Sequence, residues 1–268
     1  MTQILFTSCI APNQDDIWSS IIAYLAEQLA LPFTFVTDLG WAERYAALAK
    51  GEIQMAAICG APYVRMVGQT PPPVELLAAP VFRAPLYDDR PVYFSDVLVN
   101  AESNFHSFDD LRGASFAFNE VGSFSGYEAM RYFLASRGED GSYFGSVLQS
   151  GSHAQSLQMV LNRQADCAAI DSTMLEQELL HHAAIAPKLR VVELIGPSPM
   201  LPWVASSQLD SGLRARIRHA LTTMHETEAG IHLLHTTPVA RFAPVSDADY
   251  NPMRQMLAAA ERVKFAIS

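Results

Sequence analysis

The chain has 268 residues, half of them hydrophobic and 17% charged, with a net charge of −10. This composition can fill a large core in one or two domains, and it excludes global disorder. The acidic balance excludes a nucleic-acid binder, which needs a basic face, but not a small anion held by local donors.

The first element predicted is a strand over Gln3 to Ser8. Asp15 and Asp16 suit a first helical turn, and Ile17, Ile21, Tyr24, Leu25 and Leu29 then recur at helical spacing. A strand over Phe33 to Thr37 and a helix from Trp41 to Lys50, stopped by Gly51, come next. Ile53 to Cys59 reads as an apolar strand closed by Gly60. After the Pro71-Pro72-Pro73 connection, Leu76 to Phe82 and Val92 to Asn100 read as strands. Phe108 to Leu111 reads as a short helical turn and Ala114 to Phe118 as a strand. A turn of Gly, Ser and Phe (Gly122 to Gly126) leads into a helix from Tyr127. Three more strands are expected at Ser146 to Ser150, Asp166 to Ile170 and Leu189 to Ile195. Helices over Ala154 to Arg163 and Thr173 to His182 separate them. Leu201 to Ser206 is another strand, and the remainder from Ser211 is expected to be mostly helical. Strands alternating with helices indicate parallel α/β sheets.

Three strand-to-helix corners carry polar groups: Ser123 and Ser125, then His153, then Asp171. Ligands of open α/β sheets bind at such corners, beyond the carboxyl ends of the strands. A helix start offers unpaired N–H groups and a favourable dipole to an anion. Ser at that position also serves as an ordinary N-cap, with or without a ligand. Asp171 is open to the same two readings.

Cys9, Cys59 and Cys167 follow no metal spacing and read as small buried hydrophobes. The histidines at 181, 182, 232 and 235 lack carboxylates at ligand spacing, so neither a metal nor a cofactor is expected. Arg65, Arg83 and Arg90 read as surface or structural. No apolar run approaches the roughly 20 residues of a membrane span. The start lacks a basic segment followed by an apolar one. Location is therefore expected to be periplasmic if a signal peptide was removed and cytoplasmic if Met1 is the native start.

The run Asn119 to Tyr127, then Gly151-Ser-His-Ala-Gln-Ser-Leu, then Ala165-Asp166 and Ala168-Ala-Ile-Asp-Ser172 resembles the phosphate/phosphite/phosphonate-binding proteins of ABC transporters. Gly51-Glu-Ile-Gln, Tyr63-Val64, Tyr93 to Val99 and Phe242-Ala-Pro through Tyr250 add weaker matches in the same order. The resemblance implies a bilobed type 2 periplasmic-binding-protein fold, two α/β lobes joined by a two-segment hinge. Lobe one would hold residues 1–90 plus 200–268 and lobe two residues 95–195, with hinges near 87–95 and 196–204. A ligand would lie in the cleft.

By the same resemblance Ser123, Phe124 and Ser125 would supply hydroxyl and backbone donors to a phosphorus oxyanion. His153 would donate to it, and Asp171 would accept from a protonated ligand oxygen or an amine. Trp41 and Tyr93 would close over the ligand, and Tyr127 would lie beside it. Phe124 stands where the family commonly has Thr or Ser, and Trp41 where Tyr is usual. The expected partners are a small anionic ligand and an ABC permease, and the expected state is a monomer. Two other functions compete. One is a receptor for a thiamine-precursor pyrimidine or a carboxylate. The other is a lyase-type enzyme on the same fold, with His153 and Asp171 as an acid–base pair. A serine hydrolase is disfavoured, because Phe124 occupies the nucleophile position of a Gly-x-Ser-x-Gly elbow.

Overall fold

Apolar runs of β-prone residues become eleven strands in two separate sheets, in a computed structural model that describes residues 3–267. Chain contacts divide it into two units. One runs to Val92 and resumes over Pro199–Asn251; the other comprises Tyr93–Ser198 and the chain from Pro252 onward.

The first unit opens with β1 (Ile4–Ser8), α1 (Asp15–Leu29) and β2 (Phe33–Val36), followed by α2 (Trp41–Ala49), β3 (Met55–Ala57), α3 (Gly60–Val67) and β4 (Val74–Phe82). It is completed after the second unit by two further strands and two helices between Trp203 and Ala243. Helix α1 forms where the spacing predicts it: Ile17, Ile21 and Leu25 lie one turn apart and are buried against the sheet. A left-handed Ala30 ends it, with φ 52°. Cys59 and Gly60 do not simply close a strand. They start α3, a helix absent from the sequence reading, whose Tyr63 and Met66 are buried.

The second unit contains β5 (Val92–Asn100), β6 (Ser115–Phe118), α4 (Ala129–Ser136) and β7 (Ser146–Gln149). It continues with α5 (His153–Leu161), β8 (Cys167–Asp171), α6 (Ser172–His181) and β9 (Leu189–Pro199). Its sheet order is β7-β6-β8-β5-β9. Every residue of β8 is buried, as its apolar run Cys-Ala-Ala-Ile requires of a strand packed on both faces. The chain then returns through β10 (Trp203–Ser206), α7 (Ser211–Thr222), α8 (Glu228–His235), β11 (Val239–Ala243) and α9 (Asn251–Ala260).

The expectation of parallel sheets holds only in part. β1, β2 and β3 are parallel, but β10 pairs antiparallel with both β3 and β4, and β11 antiparallel with β4. Likewise β6 is parallel to β7 and β8, whereas β5 is antiparallel to β8. The mostly helical tail expected after Ser211 contains β11. That strand is short, carries Arg241 and lies at a sheet edge, so its propensity signal is weak.

The core of the first unit is centred on β10. Trp203 is fully buried, with its ring centroid 4.7 Å from Phe6, 5.7 Å from Trp18 and 5.2 Å from Phe242. The tail from Pro252, assigned by the sequence reading to lobe one, groups with the second unit. Aromatic packing accounts for this: the Phe265 ring lies 5.9 Å from Phe116 and 5.7 Å from Tyr127, and Arg131 Nε donates to the Val263 carbonyl. No helix of the described residues is long and apolar enough to cross a membrane.

Candidate functional site

Strand direction brings the polar corners together. Because β6, β7 and β8 are parallel, the loops after Phe118, Gln149 and Asp171 leave one edge of the second sheet. β5 runs the other way, so its beginning lies at that same edge, with Ser95 opposite Asp171. Backbone hydrogen bonds tie two of the corners: Ser150 N–H donates to Phe118 O and Gly151 N–H to Asn119 O, both at 2.8 Å.

The turn after β6 is not the start of an ordinary α-helix. Phe124–Glu128 forms a wider π turn, with Glu128 N–H donating to Ser123 O and Ala129 N–H to Phe124 O. Such turns recur at functional sites. Ser123 caps it, its Oγ accepting from Gly126 N–H at 3.2 Å. The amides of Phe124 and Ser125 precede the first π-type bond and have no helical acceptor.

Gly126 is required for this shape. A Cβ there would stand 2.0 Å from Asn119 Oδ1 and 3.1 Å from His153 Cε1. At Gly122 the nearest atom, Glu120 Oε1, would be at an ordinary 3.8 Å.

Ser125 Oγ and His153 Nε2 are hydrogen-bonded at 3.1 Å, joining the first and second corners. His153 opens α5 behind the cap Ser152, whose Oγ accepts from Gln155 N–H. His153 Nδ1 is enclosed although the residue as a whole is half-buried. Burial lowers its pKa to about 4, opposed by the Ala169 backbone. The imidazole is therefore neutral at pH 7.

At the third corner Asp171 caps α6, its Oδ1 accepting from Thr173 N–H, Thr173 Oγ1 and Met174 N–H. The capping reading of Asp171 is thus realised, and none of these bonds uses Oδ2. Burial raises its pKa to about 6, against those three bonds. On the neighbouring strand Asp96 is buried with Oδ1 unpartnered. Burial pushes it to about 7, aided by the charges of Asp171 and Glu176.

Phe124 is fully buried, leaving its backbone as the part able to meet a ligand. The Tyr127 ring centroid lies 4.7 Å from that of Phe118, and the Arg131 guanidinium sits over the same tyrosine ring, 5.2 Å from its centroid. Tyr93 is fully buried on β5. Trp41 belongs to the first unit, where it opens α2 and is half-buried. In that unit Arg44 is buried and donates to the carbonyls of Ser8, Thr37 and Leu39. Asp15 beside it is raised to about 6 by burial, with Arg44 opposing.

Sequence reasoning did not single out Asn119, Asp96 or Arg44. For Asn119 the signal was present: it opens the Ser-rich motif and is followed seven residues later by Gly126. Arg83 bonds the Leu234 and Thr237 carbonyls and Arg90 pairs with Asp88, both structural uses. Among the described residues no group of His, Cys, Asp and Glu is arranged to hold a metal ion.

The family described as "ABC transporter, phosphonate, periplasmic substrate-binding protein" matches residues 6–250. The chain belongs to this family. Membership makes it the solute-binding component of an ABC transporter, with a small-molecule ligand, a permease partner and an extracytoplasmic place of work. Solved structures carry the type 2 periplasmic-binding-protein fold across the whole chain. A binding protein component of an ABC phosphonate transporter from Pseudomonas aeruginosa is 19% identical with a TM-score of 0.83, over 97% of this chain and 86% of that one. PhnD1 from Prochlorococcus marinus, in complex with methylphosphonate, is 16% identical with a TM-score of 0.82, over 97% and 99%. A Xanthomonas citri protein bound to ATP is 14% identical with a TM-score of 0.74, over 98% of each chain. Methylphosphonate and ATP are the ligands of those two proteins, and at such identities the likeness is one of fold.

Within this phosphonate-family binding protein, Ser125→Ala is expected to remove the hydroxyl that joins the first two corners. Loss of one buried hydrogen bond to an anion weakens binding by about 1–3 kcal/mol. Calorimetric titration checks it: an unchanged affinity assigns Ser125 to local structure alone.

Proposed function

We propose that this protein captures a small phosphorus oxyanion, either phosphate, phosphite or a phosphonate, at the π turn of its second unit. The observation that carries this reading is the joined corner of Ser123, Ser125 and His153, next to the unpaired amides of Phe124 and Ser125. Its hydroxyls, imidazole and amides are all neutral. The nearby cation, Arg131, is engaged by Glu128 at 2.6 Å. Neutral donors suit an anion because they are fixed in place and are not consumed by a counter-charge. The family supports the same ligand class.

The chain acts as a receptor and not as an enzyme. Ser125 and His153 have the spacing of a nucleophile and its base. A base must take a proton near neutral pH, however, and this imidazole resists protonation until about pH 4. Asp171 is occupied in capping α6 and does not orient the His153 ring. The remaining carboxylate oxygen of Asp171 is assigned to a protonated ligand oxygen or an amine. Trp41, Tyr93 and Tyr127 are assigned to the ligand by family resemblance alone. The protein works as a monomer.

The test is a thermal-shift and calorimetric panel of phosphate, phosphite, methylphosphonate and an aminoalkylphosphonate, with the bound ligand recovered and weighed by mass spectrometry. Stabilisation by at least one, with its mass unchanged, is the expected result. Stabilisation only by an aromatic heterocycle or a carboxylate removes the phosphorus assignment. A mass change in the recovered ligand removes the receptor reading.

A further inference from the structure

We propose that Asn119 is a further ligand-contacting residue, and that its neutral carboxamide sets which charge state of the ligand the turn accepts. The inference rests on the reading that an oxyanion binds at the π turn.

Asn119 is 3% exposed and sits directly after β6, at the base of the turn. Its position is held from two sides. Its carbonyl accepts from Gly151 N–H at 2.8 Å, anchoring it to the second corner. Its Oδ1 faces Gly126 so closely that no side chain fits between them. This Oδ1 is enclosed with no hydrogen-bond partner. A buried amide oxygen left unpaired costs stability, and such a group in a native fold points to a use beyond packing. No residue accepts from Nδ2, and Nδ2 is not among the enclosed atoms. The carboxamide thus lies against Gly126 in the same cluster as the His153 ring, with its oxygen sealed and its Nδ2 donor unbonded.

Charge explains why this donor is an amide and not an acid. Asp171 is the carboxylate of the neighbouring corner, and burial already holds it up at about 6. Glu120, the next residue, is also raised by burial. His153 contributes no positive charge at neutral pH. A carboxylate at position 119 would add a further negative charge where an anion must come to rest. A carboxamide of the same shape adds a donor instead.

The test is calorimetric titration of methylphosphonate, phosphite and phosphate into wild-type protein, Asn119→Asp and Asn119→Ala between about pH 5 and pH 8. Asp keeps the shape of Asn and removes the donor. The expected result is an affinity at pH 8 lower in Asn119→Asp by about tenfold or more, with the deficit shrinking toward pH 5 as the new carboxyl gains a proton and can donate again. Asn119→Ala should show a smaller deficit that does not vary with pH. If Asn119→Asp binds within about twofold of wild type at every pH, the residue is only a packing element and the inference is overturned. Should Asn119→Asp fail to fold, Asn119→Ser and Asn119→Ala decide. Tighter binding by Ser, which keeps a neutral donor, supports the contact, and equal binding overturns it. A wild-type protein that binds none of the three anions overturns the parent reading, an outcome distinct from selective failure of the Asn119 variants.

Discussion

Gly126→Ala is expected to abolish useful ligand binding and to destabilise the second unit, while Gly122→Ala in the same turn leaves both nearly unchanged. The difference is one of space. The added methyl at Gly126 would overlap Asn119 Oδ1 at 2.0 Å and Cγ at 2.8 Å, whereas at Gly122 it meets nothing closer than 3.8 Å. Asn119 is poorly placed to retreat, because its side chain is buried and its backbone is held by Gly151 N–H. The π turn must therefore move, taking Ser123, Phe124 and Ser125 away from His153. Overpacking of this kind costs about 1–3 kcal/mol of stability. Loss of two hydrogen bonds to an anion, at about 1.5 kcal/mol each, weakens binding on the order of a hundredfold. Thermal unfolding without ligand and calorimetric titration with it separate the two effects. Equal behaviour of the two alanine variants would show that the turn relaxes freely and that the close approach has no bearing on binding.

The same positions show how far the sequence could be read. Ser123, Ser125, His153 and Asp171 were identifiable because each follows a strand and precedes a helix, and the parallel order of β6, β7 and β8 does carry them to one edge. What the pattern did not contain was strand direction. β5, β10 and β11 read as strands or as nothing, and whether a strand runs parallel depends on where the chain re-enters a sheet, not on its own residues. Helix type was hidden for a similar reason. The widened first turn at Phe124–Glu128 packs against Asn119, which lies outside the turn and seven residues before Gly126. Burial was the third hidden quantity. Asp96 sits in a run of Tyr, Phe, Ser, Val and Leu that reads as a strand, but only the fold shows that it pairs beside Asp171 on a strand with no exposed residue.

That burial gives Asp96→Asn the other large expected effect, a gain in stability confined to one side of a pH window. In the folded protein burial holds Asp96 up at about 7, against an ordinary aspartate value of 3.8. Below about pH 4 the carboxyl is protonated in folded and unfolded chains alike, so it contributes no difference. Between about 4 and 7 the folded state holds a proton that the unfolded state has released. Unfolding then releases protons, and stability falls as pH rises. Above about 7 the full cost of a buried carboxylate is present, about 4 kcal/mol by linkage. Asparagine never ionises, so the variant should match wild type in acid, gain steadily through the window and level off above it. His153 works in the opposite direction: lowered to about 4, it favours the folded state as pH rises toward the usual histidine value. Its contribution is common to both proteins and cancels in their difference. Asp171 does not cancel wholly, because its charge helps to raise Asp96 and interacting groups titrate as a pair. Unfolding midpoints of the two proteins, measured without ligand from about pH 4 to pH 9, supply the difference curve. A flat curve would mean that Asp96 ionises normally inside the sheet. A loss of stability above pH 7 would mean that its carboxylate, not its acid form, is what the fold requires.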